Sequence, residues 1–103
     1  MGTIHHHVVI ATTWDKERFE KTIKWLRKEQ PDFPHTTLES NINGYQTIFV
    51  GPDGSKEGWA SSDEADKFRD KFINYIQRQR FWDWVEVGYG ELGQRILRGN
   101  NEN

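Results

Sequence analysis

At 103 residues the chain has room for one domain with a single core, which excludes a second domain. A formal net charge of −2, with acidic and basic residues interspersed, excludes a global field for nucleic acid or an acidic membrane, and the lack of cysteine excludes disulfides, thiolate metal sites and a cysteine nucleophile. Leu, Ile, Val and Phe are few, but five Trp, three Tyr and six Phe bury large areas each, so a polar chain can still close a core.

The longest apolar run, Val8 to Ala11, is too short for a signal-peptide core or a membrane span, so a soluble, cytoplasmic protein is expected. From Ile4 to Thr13 the chain is rich in β-branched residues, with Ile4, Val8 and Ile10 on one parity and Val9 and Ala11 on the other, which predicts a buried central strand. Asp15 can cap a helix that runs to about Glu29, with Trp14 and Phe19 at the two positions of a hydrophobic staple. Phe19, Ile23 and Leu26 form its apolar stripe, and Pro31 and Pro34 end it.

Thr36 to Ile42 and Tyr45 to Val50 flank Asn43-Gly44, two residues that accept positive φ, as a type I′ hairpin turn requires. Pro52-Asp53-Gly54 predicts a second turn and a short third hairpin strand from Ser55 to Trp59. Ser61 and Glu64 read as a capping box opening a helix to about Arg80, whose stripe is Ala65, Phe68, Phe72 and Ile76, widened by Ile73. Phe81 to Tyr89 then alternates Phe81, Val85, Val87 and Tyr89 against Trp82, Trp84 and Glu86, a strand with aromatic surface on both sides.

The order β-α-β-β-β-α-β predicts an α+β domain over residues 1–92, with two helices on one face of a mostly antiparallel, four- to five-stranded sheet. It resembles a ferredoxin-like arrangement with an extra hairpin strand, and such folds host many functions. Residues 93–103, in which only Ile96 and Leu97 are apolar near the end, are expected to form a mobile tail.

The histidine cluster leading into a strand and Trp14-Asp15, followed by NGYQTIFVGPDGSKEGWASSDEAD and DWVEVGYGE, resembles a group of small, uncharacterised proteins encoded by bacteriophages and prophages, over about His5 to Glu91. The resemblance implies a viral protein made in the cytoplasm of a bacterial host, where small non-virion proteins bind host machinery or small molecules. It implies no activity.

His5 and His7 project to one side of a strand about 6.8 Å apart, a reach from which two imidazoles can share a divalent metal with a third ligand such as His35 or Glu86. The plainer reading is a set of ring-bearing residues on a wet sheet face, with no cofactor. Gly51, Gly54, Lys56 and Gly58 suggest a phosphate cradle only superficially, because Ser55 precedes Lys56 where a P-loop needs glycine. The first turn of the second helix, beside Lys56 and Trp59, is a possible anion site in competition with Asp63 and Glu64. Glu86, beside Trp84, is the carboxylate best placed for acid–base work, though it has no partner fixed by spacing. No G-x-S-x-G elbow is present.

A two-helix sandwich needs one buried sheet face, and Trp14, Trp25, Trp59, Trp82 and Trp84 cannot easily all point to it. A binding or interaction protein is therefore expected, with a host protein or small molecule as partner and a homodimer through the open sheet face as a further possibility. The candidate site is His5, His7, Trp14, Lys56, Trp59, Trp82, Trp84 and Glu86. A metal-assisted hydrolase and a single-stranded nucleic-acid binder, with bases stacked on Trp82 or Trp84, are the alternatives.

Overall fold

The computed structural model describes residues 5–29, 35–40, 42–51, 60–91 and 93–100, with the side chains of 60–63 left aside. Among the described residues seven elements follow one another: β1 (His5–Thr13), α1 (Lys16–Glu29), β2 (His35–Glu39), β3 (Gln46–Val50), α2 (Ala60–Gln79), β4 (Asp83–Gly90) and β5 (Arg95–Gly99). The strands form one sheet in the order β2-β3-β1-β4-β5, and every neighbouring pair is antiparallel. This is an α+β architecture. Each helical connection skips one strand: the first passes from β1 over β3 to β2, and the second from β3 over β1 to β4. β1 therefore lies at the centre, as its β-branched run requires.

Local chemistry starts α1 where the sequence places it. The Asp15 carboxylate accepts a hydrogen bond from the Arg18 backbone N–H at 3.1 Å, an N-cap bond, and the Arg18 guanidinium closes on the same carboxylate. The backbone bond from Arg18 is the first reason the Asp15 carboxyl is held below its ordinary value of 3.8. Phe19, Thr22 and Leu26 are buried along α1, and Thr22 is tolerated there because its hydroxyl donates to the Arg18 carbonyl at 2.8 Å. Trp14 leans on Phe81 with ring centroids 5.5 Å apart. The β2–β3 hairpin turns at Asn43 (φ 58°) and Gly44 (φ 68°), as the type I′ reading requires. β2 spans His35–Glu39, shorter at its end than the predicted Thr36 to Ile42.

The junction from α2 to β4 carries two consecutive non-glycine residues with positive φ, Arg80 (60°) and Phe81 (63°), a conformation that costs roughly 1–2 kcal/mol per residue. Several contacts hold it. The Thr13 hydroxyl donates to the Phe81 carbonyl at 2.7 Å, Arg18 Nε donates to the Gln79 carbonyl at 2.8 Å, and the Arg18 guanidinium lies 4.7 Å from the centre of the Phe81 ring. The end of α2 is thus latched to the start of α1.

The core lies on one face of the sheet. Val9 and Ala11 of β1, Ile48 and Val50 of β3, Phe19 and Leu26 of α1, and Phe68, Phe72, Ile73 and Ile76 of α2 pack together with Trp82 and Trp84. The positions of Trp82 and Trp84 correct their expected placement in an exposed site, since they are only 3% and 7% exposed. Register explains why: Trp84 pairs with Ala11 and Glu86 with Val9, so this parity of β4 lies under the helices. Trp25 is also accommodated between the helices, stacked on Tyr75 with centroids 4.5 Å apart. Trp14 is the described indole that stays in water.

The expected mobile tail needs a second correction: residues Arg95–Gly99 form β5, an edge strand on β4 with a bulge opposite Glu86 and Val87. Asn100 fastens its end, because the Trp84 N–H donates to Asn100 Oδ1 at 3.0 Å while the Asn100 amide donates to the Trp82 carbonyl. The predicted third hairpin strand, Ser55 to Trp59, and the helix stops Pro31 and Pro34 lie outside the described residues, as does the Ser61 side chain of the proposed capping box.

Candidate functional site

Two regions of the sheet carry chemistry beyond the apolar core. The first is a buried ionic cluster on the covered face, where β1, β4, β5 and α2 meet. Glu86 is 5% exposed and Arg69, from α2, is 3% exposed, so both are charges taken out of water. Glu86 Oε1 accepts from Arg98 Nε at 2.6 Å, and Glu86 Oε2 faces Arg69 Nε at 3.5 Å. Asp66 engages Arg69 one helical turn away, and Asp70 accepts from the second arm of Arg98 at 2.5 Å. Hydrogen bonds to Asp70 and Glu86 outweigh partial desolvation and raise the Arg98 pKa above its ordinary value. Three carboxylates thus meet two guanidiniums. A shallow cleft of about 300 Å³ opens over them, lined by His7, Asp66, Asp70, Glu86, Leu97 and Arg98.

The histidines border this cluster. His5 and His7 meet edge to face, ring centroids 5.3 Å apart, and His7 Nδ1 lies 3.9 Å from Glu86 Oε2. His5 Nε2 folds over Gly88, where a Cβ would come within 2.8 Å of it, so the glycine makes room for the ring. Among the described residues no group of three His, Asp or Glu side chains is arranged to hold a metal ion. His35 pairs with Val50 and is separated from β1 by the width of β3, while Glu86 is engaged by two guanidiniums that would repel a cation. The cluster ties the edge strand β5 to helix α2 through a shared carboxylate.

The predicted site residues therefore separate. His5, His7 and Glu86 come together; Trp82 and Trp84 lie in the core; Trp14 sits seven residues, roughly 24 Å of strand, from His7 at the far end of β1. Lys56 and Trp59 lie outside the described residues. Sequence reasoning missed Arg69 and Arg98. Arg69 had a signal, since it stands between Ala65 and Ile73 in an i, i+4, i+8 row whose other members are apolar and buried. Compared with protein-family models, curated proteins and solved structures, the chain matches none. Function must come from the surface itself.

The second region is the opposite face of the same sheet. Val8, Ile10 and Thr12 of β1 alternate away from the helices, beside Thr47 and Phe49 of β3 and Val85 and Val87 of β4. All seven are part-buried, whereas Leu38 of β2 and Ile96 of β5 stand 61% and 73% exposed at the two edges. Register arranges them in three rows: Ile96–Val87–Val8, Val85–Ile10–Phe49 and Thr12–Thr47–Leu38. Thr12 and Thr47 satisfy each other through a 2.9 Å hydroxyl contact, so their polar atoms can leave water at little cost. Among the described residues no Lys or Arg belongs to these rows; His6, Tyr89 and Asp83 lie at their ends.

Proposed function

We propose that this protein is a small interaction protein that works by covering its open sheet face with a protein partner, not by turning over a substrate. One observation carries the reading: two aliphatic and aromatic rows and a third of paired threonines with Leu38 face away from the helices, with no Lys or Arg among the described residues of the rows. Charge depletion around an aliphatic and aromatic centre is what separates the core of an interface from ordinary surface. Folding explains the covered face and does not require this composition on the other. The resemblance to small phage-encoded proteins is in keeping with the same reading, since it implies a small non-virion protein of the bacterial cytoplasm that works by binding.

The two alternatives draw less support. Trp82 and Trp84, the proposed stacking platform for single strands, are core residues, and no described Lys or Arg lines the open face to hold a phosphate backbone. A metal-assisted hydrolase would need a third ligand for His5 and His7, and Glu86 is committed to arginine. The experiment that tests the proposal is titration of the native chain with an apolar fluorescent probe. Wild type is expected to bind it and Val85→Lys to lose it while keeping the near-ultraviolet dichroism of the core indoles. Equal probe binding by the two proteins overturns the reading.

A further inference from the structure

The geometry points to a second copy of this chain as the occupant of the open face, in an isologous pair that stacks β1 on β1 with Ile10 near the two-fold axis. This rests on reading that face as an interaction surface, and it names the partner.

Placement argues for it first. β1 has two strands on each side, so the Val85–Ile10–Phe49 row is central and the face extends equally in both directions. A two-fold axis through such a face buries every row on both copies at once. Composition argues for it next. Apart from Asp83 at the border, the described residues of the rows offer no charge that would select an acidic or basic partner, and no Lys or Arg that would seat the face on an anionic lipid surface. Aliphatic and β-branched side chains on two pleated surfaces interdigitate about 10 Å apart without needing a complementary sequence. The hydroxyls of Thr12 and Thr47, already paired, enter such a contact satisfied.

Area is the third consideration. Strands of nine, five, five, eight and five residues, each residue covering about 4.8 Å by 3.4 Å, give a footprint on the order of 500 Å² per copy. Two copies bury on the order of 1,000 Å², the range of weak and transient interfaces. The exposed Leu38 and Ile96 lie at opposite edges of that footprint, where a partner sheet of the same width reaches both. A pair of this size is expected to dissociate on dilution, with a Kd of about 1–100 µM.

Sedimentation equilibrium of the full chain from about 1 to 300 µM tests this. The expected result is a shift from monomer to twice the chain mass, weakened at least 30-fold by Ile10→Lys and by Phe49→Asp and unchanged by Asp83→Asn at the border. Near-ultraviolet dichroism of the core indoles identifies any variant that fails to fold, and Val85→Lys then replaces it. A dimer that survives folded Ile10→Lys and Phe49→Asp has formed elsewhere and overturns the inference. A chain that stays monomeric yet binds the apolar probe through Val85 overturns the second copy and leaves the interaction surface standing. A monomer that binds no probe removes both.

Discussion

The two faces of the sheet are written by alternate residues of the same strands, yet they solve opposite problems. On the covered face, Trp82 just before β4 and Trp84 and Glu86 within it share one parity, and the charge is acceptable because α2 and β5 bring Arg69 and Arg98 to it. On the open face, Asp83, Val85 and Val87 alternate with those residues and pair with Thr12, Ile10 and Val8 of β1, while Val87 also pairs with Ile96 of β5. A charge on the open face would cost little in water, yet among the described residues the rows carry Asp83 at their border and no charge at their centre. The teaching is that composition forced by the core can be told from composition that it leaves free, and the free part is where function shows.

The comparison breaks most readily at the buried ions. Removing one member of a buried pair strands the other, so Glu86→Ala is expected to lower stability by about 3–5 kcal/mol in urea unfolding. The double change Glu86→Leu with Arg69→Met should recover most of that loss, because replacing a buried pair by apolar side chains is often neutral or better. An equal loss in the double variant would show that the ions hold something more than each other.

Next in size is the contrast between two phenylalanines. Phe72→Ala in the core is expected to cost about 3–5 kcal/mol, and Phe49→Ala on the open face about 1 kcal/mol or less when measured on the monomer. Comparable losses would mean that the open face supports the fold as much as the covered one. A smaller gain is expected at the α2–β4 junction, where Arg80→Gly relieves a left-handed backbone and should raise stability by about 0.5–1 kcal/mol.

The smallest effect concerns acid. The Asp15 carboxyl is lowered by folding, so its stabilising contribution is complete above its ordinary value of 3.8 and fades as pH falls through the lower folded value. Asp15→Asn should therefore be less stable than wild type near neutrality, and the difference should shrink only below about pH 3.8. A gap that closes between pH 5 and 7 would assign the effect to another group.

How much of this was legible follows from how local each signal is. The Asp15 cap, the Asn43-Gly44 turn and the α2 stripe are settled by residues within five positions of one another, and all three appear where the pattern puts them. β5 was not legible. Its sequence RILRG looks like a polar tail, and it becomes a strand through Arg98 reaching Glu86 and Asp70, 12 and 28 positions away, and through Asn100 reaching Trp84. The parity of β4 was visible, but not which side faces the helices; that depends on pairing with Val9 and Ala11, far back in the chain. The same long-range choice moved Trp82 and Trp84 from a site into the core. Within the candidate site, the His5, His7 and Glu86 grouping could be guessed from types, whereas Arg69 required noticing one cation inside an apolar helical row.

The central position of β1 has a consequence for biosynthesis. Its two neighbours, β3 and β4, begin 41 and 78 residues after it begins, so both of its edges stay open during translation. Pairing with β3 can close one edge once Val50 has emerged. The other waits for Gly90, another 40 residues, or about 2–8 s at bacterial and eukaryotic elongation rates. Through that interval a strand rich in valine and isoleucine has an unpaired edge, and the nascent chain is most prone to wrong pairing with a neighbour on the same message. Slowing translation after residue 50 should therefore lower the yield of folded protein more than slowing it before that point.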